Sequence, residues 1–265
     1  MKSNIAILGG GNLGRAIAVG LSQSNLAKDI EIYLTRRNLD HIKDLESEGI
    51  KVSSDNLDAV KNAEIVIIAV QPKQTDKLIE EIKPALDKDK HVVVSVVTGL
   101  SIDELQSKVG EGFAVIRAMP NTAIALKESM TCIATNGHDK GKEEVIAIFD
   151  TLGSTLVISE SLMQSATVLG ACGIAFFLRF IRAASQGGIE VGFHAEEAQL
   201  IAAQTARGAA ALLLETSDHP EQAIDRVTTP QGCTIAGLNE MEHHGLSSAL
   251  IKGIITSYKK IETIK

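Results

Sequence analysis

Three glycines near the start of the chain carry its clearest chemical signal. In IAILGGGNLGRAIAVGL, Gly9, Gly11 and Gly14 stand at GxGxxG spacing, after an apolar run and at the head of an amphipathic one. Each glycine meets a separate need when a pyrophosphate lies over a strand-to-helix turn. Gly9 permits the tight turn, Gly11 lets the backbone approach the phosphates, and Gly14 lets helix and strand pack closely. The N–H groups of Asn12, Leu13 and Gly14, at the helix N-terminus, then face an anion together with the helix dipole. This is the chemistry of a dinucleotide site.

The second strand ends Tyr33-Leu34-Thr35-Arg36-Arg37. An NAD site places an acid there to accept both ribose hydroxyls, and here the position holds Thr35. Glu31 lies at the wrong end of the strand. Arg36 and Arg37 are suited to pair with a 2′-phosphate, which predicts NADPH as the cofactor, with NADH a possible second. Two surface arginines in a loop remain the alternative. AVQPKQ (69–74), VVTGL (96–100) and RAMPNT (117–122) stand at the ends of later strands, where a doubly wound sheet opens its ligand crevice. Ala69, Val70, Pro72, Met119, Pro120 and Asn121 are therefore expected beside the cofactor. Taken singly, each segment is only a strand-to-loop transition with a Pro or Gly breaker.

The elements that must position these residues are legible as periodicity. Residues 4–8, 30–34, 65–70, 91–97 and 113–118 are short β-branched apolar runs, separated by amphipathic stretches at 39–48, 73–86 and 102–109. Strands alternating with helices predict a parallel sheet covered on both faces, an α/β Rossmann-type doubly wound fold. Runs at 130–135 and 155–159, flanking a helix-like stretch at 140–152, extend the sheet's edge. Beyond Ser159 the strand signals stop, and helix periodicity covers 162–191, 195–215 and 246–264. The expected domains are 1–160, binding the dinucleotide, and 161–265, all-α. The stretches 166–180 and 198–214 are too apolar for a domain of about 100 residues to bury alone, so the helical domain is expected to dimerise.

Composition removes other classes. The net charge is −7, with no Trp, two Tyr and six Phe, which leaves neither a basic face for phosphates nor aromatics for base stacking; nucleic acid is excluded as a partner. Cys132, Cys172 and Cys233 lie far apart and match no metal-ligand spacing, so no metal is expected and a reducing cytoplasm fits. No signal peptide is read at the N-terminus. Residues 161–178 lack charge, but their Ser, Gln, Thr and Gly content predicts a buried helix in a soluble protein rather than a membrane span.

The segments 69–74 and 117–122, with QTARGAAALLLETSDHPEQAIDRVTTPQGCTIAGLNEME in the helical region, resemble the pyrroline-5-carboxylate reductase family over essentially the whole chain. The resemblance implies hydride transfer from NAD(P)H to a small-molecule substrate, 1-pyrroline-5-carboxylate, giving L-proline in the last step of proline biosynthesis. It implies a homodimer, or a larger assembly built on dimers, whose helical domains interleave. It also implies that Thr229, Gln231, Gly232, Cys233 and Thr234 bind the substrate carboxylate through backbone N–H groups, with Thr234 also bonding the ring nitrogen. Such a turn before a helix makes an anion nest, although Thr234 as a helix N-cap is the plainer reading. Two departures bear on the substrate: Gln231-Gly232 replaces Gly-Gly, and 170–176 replaces Gly-Ser-Gly-Pro-Ala-Tyr. The alternatives are a reductase of a related cyclic imine or hydroxyacid, and a non-catalytic NAD(P)-binding regulator. Against a β-hydroxyacid dehydrogenase, no Lys follows the glycines near 170–179.

Overall fold

The computed structural model describes residues 3–138 and 140–261. Eight strands form one sheet: β1 (Ile5–Leu8), β2 (Ile32–Thr35), β3 (Lys51–Ser53), β4 (Ile65–Ile68), β5 (Val92–Ser95), β6 (Ala114–Met119), β7 (Ser129–Thr135) and β8 (Gly153–Val157). Their order is β3-β2-β1-β4-β5-β6-β7-β8, and every pairing is parallel except β6 with β7. The chain steps outward from β1 to β3, returns to β4 and steps outward on the other side. The order therefore reverses between β1 and β4, and ligands bind at such a reversal.

Alternation along the central strand builds a core on each face. Ile5 and Ile7 enter one cluster with Ile17 and Leu21 of α1 (Asn12–Ser22); Ala6 and Leu8 enter the other with Ala59 and Val60 of α2 (Asn56–Lys61) and Leu78, Ile79 and Ile82 of α3 (Pro72–Ile82). Burial on both faces explains why the strands read as continuous apolar runs. The sheet domain is completed by α4 (Ile102–Val109) and α5 (Lys142–Asp150). A capping box starts α4, Ser101 Oγ accepting from Glu104 N at 3.1 Å while the Glu104 carboxylate accepts from Ser101 N at 2.9 Å.

Two expectations for this region change. The strand β3 carries no sequence signal, because Lys51, Val52 and Ser53 lie at the sheet's edge, exposed or half-buried. Residues 39–48 form two 3-10 stretches rather than a helix, the second closed by Gly49 at φ 80°. Their amphipathic pattern is still used: Ile42 and Leu45 are fully buried.

After β8 come α6 (Met163–Ala166), a π-helical turn (Thr167–Cys172), α7 (Gly173–Glu190), α8 (Ala195–Thr216), α9 (Pro220–Val227), α10 (Cys233–His243) and α11 (Leu246–Ile261). The last three residues of the expected 246–264 helix lie outside the described residues. The chain divides into two compact units after Cys172 rather than at the expected residue 160, and its described residues from Tyr258 on belong to the first unit. The difference is physical. Met163 and Val168 are buried on the sheet unit, and the Glu160 carboxylate accepts from Ile102 N at 2.6 Å and from Arg117 of β6 at 2.9 Å.

The second unit, Gly173–Ser257, has almost no interior: Gly173, Ser185 and Ala198 are its buried residues, while Phe177, Leu178, Leu200, Leu212 and Leu214 are each more than half exposed. The expectation that 161–178 forms a buried helix is corrected here. By length and composition Glu160–Glu190 could cross a membrane, yet only 22% of its apolar window is buried within the chain. The described residues of this unit leave most of that face uncovered.

Candidate functional site

At the C-terminal ends of β1, β2 and β4 lies a cleft of about 780 Å³. Its floor is the first strand-to-helix turn, held by two bonds to the neighbouring strand: Gly9 N and Gly10 N donate to Thr35 O at 3.2 and 2.7 Å. The glycines divide into two kinds. Gly9 has φ 117°, and a side chain there would meet Ala69 O at 2.6 Å; at Gly14 it would meet Gly9 O at 2.1 Å. Those two are required by the protein's own packing. At Gly11 an added carbon meets nothing within 4 Å, so its absence leaves room for something other than the protein. Gly11 is also the N-cap of α1, with no side chain capping it, and the first helical N–H groups, of Asn12, Leu13 and Gly14, have no acceptor within the helix. Open backbone at a helix N-terminus fits a pyrophosphate.

The end of β2 is placed as its sequence suggested. Thr35 is buried, and its Oγ1 donates to Asn56 Oδ1 at 2.6 Å; Asn56 Nδ2 donates to the Glu81 carboxylate at 2.9 Å. Arg36 is half-buried, with Nη1 bonded to Gly10 O at 2.7 Å, and Arg37 is exposed. Both arginines line the cleft. Glu31 sits at the far end of the strand, bonded to Lys51 Nζ and Tyr33 Oη at 2.6 Å each. The Lys51 ammonium, with help from the Tyr33 hydroxyl, holds its carboxyl below the usual range. It has no part in the cleft.

Gly9, Gly11, Thr35, Arg36, Arg37, Ala69 and Val70 thus line one cavity. Pro72 stands beside it as the first residue of α3. Met119, Pro120 and Asn121 do not reach it. They are buried at the end of β6, where Asn121 Oδ1 accepts from Ala123 N at 3.0 Å and its amide donates to Gly170 O of the π-helical turn at 3.2 Å. Among the lining residues that the motifs missed are Asn38, His41, Ser54, Asn56, Lys77 and Glu81. Recognising β3 would have located Asn56, just beyond it.

In the helical unit, Gln231 adopts φ 60° and Gly232 N donates to Thr229 O at 2.9 Å, closing a turn directly before α10. A side chain on Gly232 would meet Thr229 Oγ1 at 2.5 Å. The N-cap is Gly232, with no capping side chain, and Thr234 is the second helical residue, so the plainer reading of Thr234 as the cap is wrong. Thr229, Gln231, Cys233 and Thr234 are all exposed. Among the described residues, the N–H groups of Cys233 and Thr234 at the start of α10 and the Thr234 hydroxyl have no hydrogen-bond partner.

A family model described as "Pyrroline-5-carboxylate reductase dimerisation" matches residues 160–264, and one described as "NADP oxidoreductase coenzyme F420-dependent" matches residues 4–99. Pyrroline-5-carboxylate reductase 2 of Dictyostelium discoideum is 50% identical over 98% of this chain and 92% of its own length. The chain belongs to the pyrroline-5-carboxylate reductase family. Pyrroline-5-carboxylate reductase 1 of the same organism is 52% identical over 99% of this chain, which spans 50% of that relative's length. Among solved structures, a pyrroline-5-carboxylate reductase from Coxiella burnetii superposes with TM-score 0.90 at 29% identity, covering 99% of this chain and 98% of the other. That likeness extends over both units described above.

Proposed function

We propose that this chain is a cytoplasmic NADPH-dependent reductase of 1-pyrroline-5-carboxylate, forming L-proline in the last step of proline biosynthesis. The observation that carries the reading is the turn before α10. Its uncapped N–H groups suit a carboxylate, and Thr234, free of any capping duty, can bond a ring nitrogen. In the sheet unit, the N-terminus of α1 would hold the pyrophosphate, and Arg36 and Arg37 the 2′-phosphate. When bound, the reduced nicotinamide supplies a hydride for the C=N carbon. Proximity and orientation are the protein's main contribution, and an imine nitrogen protonates readily, so no catalytic His or Lys is invoked.

The helical unit works as a homodimer, or in a larger assembly built on dimers; the uncovered apolar faces of α7 and α8 support this. Neither nucleic acid nor membrane is a partner in this reading, and a second copy is what covers the apolar window of 160–190. Complementation of a proline auxotroph tests the function in cells. The wild-type chain should restore growth, Thr234→Ala should restore it poorly, and no rescue by the wild type would sink the proposal.

Two kinetic predictions follow from the side chains. Thr234→Val keeps the side-chain volume and removes one hydrogen bond. It should cost about 0.5–1.5 kcal/mol in kcat/KM, up to about tenfold, with an unchanged melting temperature. Unchanged kinetics would remove Thr234 from the site. The double variant Arg36→Ala/Arg37→Ala should lower kcat/KM for NADPH by about tenfold or more, the scale of charge-assisted hydrogen bonds, while leaving NADH less affected. Equal losses with both cofactors would contradict the 2′-phosphate assignment.

A further inference from the structure

The first half of α3 lines the same cleft as the arginine loop, and its charges run against helix convention. Lys73 and Lys77, one turn apart and so on one face, both line the cleft. Lys73 lies in the first turn, where the dipole favours acids; α3 has no acid in that turn and no base in its last. Among the described residues neither lysine forms an ion pair. Four cations, Arg36, Arg37, Lys73 and Lys77, line the cavity against one carboxylate, Glu81, in a chain whose net charge is −7. That carboxylate already accepts from Asn56. Arg36 spends one guanidinium nitrogen on Gly10 O. The arrangement costs helix stability and concentrates positive potential in a single cavity, which points to a multiply charged anion there.

We propose that Lys73 and Lys77 form the second wall of the 2′-phosphate subsite, so that a dinucleotide carrying that phosphate is selected from both sides of the cleft. The inference rests on the reading of the sheet unit as an NADPH site and adds the residues of α3 to its specificity. A ribose without that phosphate gains little from this wall, because lysine ammoniums are donors only and cannot accept from ribose hydroxyls.

Equilibrium titration of the full chain, followed by the fluorescence of the reduced nicotinamide, tests this without turnover. The probes are NADPH and NADH, with 2′,5′-ADP and 5′-AMP as competitors. Lys73→Gln/Lys77→Gln should raise the NADPH Kd about tenfold or more and flatten its salt dependence, with the NADH Kd within about twofold of wild type. Competition by 2′,5′-ADP should weaken in parallel, and that by 5′-AMP should not. Both lysines are exposed, so the fold survives the change, and a thermal melt verifies it. An unchanged NADPH Kd, or equal weakening of NADPH and NADH, would overturn the lysine wall while leaving the reductase reading intact. A wild-type chain that binds neither dinucleotide would overturn both.

Discussion

Gly14→Val should destroy dinucleotide binding and unfold the sheet unit at lower temperature, whereas Gly11→Ala should weaken binding alone. At Gly14 even one added carbon falls 2.1 Å from Gly9 O, a backbone atom that cannot rotate away, and the position is buried. Relief requires α1 to move off β1, and overpacking of this kind typically costs about 1–3 kcal/mol, more where backbone must shift. At Gly11 the same carbon enters open space with φ −76°, so folding is untouched and only a ligand lying over the turn can object. Thermal melts and NADPH titrations of the two variants, side by side, check the division. A Gly14→Val chain that melts like wild type, or a Gly11→Ala chain that binds NADPH normally, would mean that the turn is not packed or not used as described.

Phe177→Asp/Leu200→Asp should have an effect of similar size by another route. These side chains are 64% and 70% exposed on α7 and α8, in a unit that buries three residues by itself. Covering a Phe or Leu is worth about 1.5–3 kcal/mol each, and a two-fold interface counts every change twice. Light scattering of the wild type should give at least twice 28.2 kDa. The variant should lose that species and, deprived of a shared core, lose soluble helical structure or activity. A variant of unchanged mass and stability would place the contact elsewhere, and an active wild-type monomer would refute the dimer.

What could be read beforehand follows from how each element is stabilised. Strands β1 and β4 are buried on both faces and declare themselves as unbroken apolar runs, as β5 does up to Ser95, while β6 reads as apolar on either side of its buried Arg117. The glycine turn declares itself because steric exclusion leaves no substitute for Gly9 and Gly14. In contrast, β3 is held by pairing with β2 at the sheet's edge and carries no burial pattern to read, which hid Asn56 and its bonds to Thr35 and Glu81. The π-helical turn at Thr167–Cys172 accepts a bond from Asn121, far away in sequence, which local periodicity cannot register. Lys73 and Lys77 stand four residues apart in the sequence, but that they line one cavity with Arg36 and Arg37 emerged only with the fold. The apolar excess of the helical region was visible from the start. That it lies uncovered in the single chain, rather than in an internal core, emerged only with the packing of α7 and α8.

The measurement that bears most directly on the account is NADPH consumption by the purified chain with 1-pyrroline-5-carboxylate, with proline quantified alongside. Turnover should need both reactants and form one proline for each NADPH consumed. A folded, oligomeric chain that binds NADPH yet leaves this imine unreduced would contradict it.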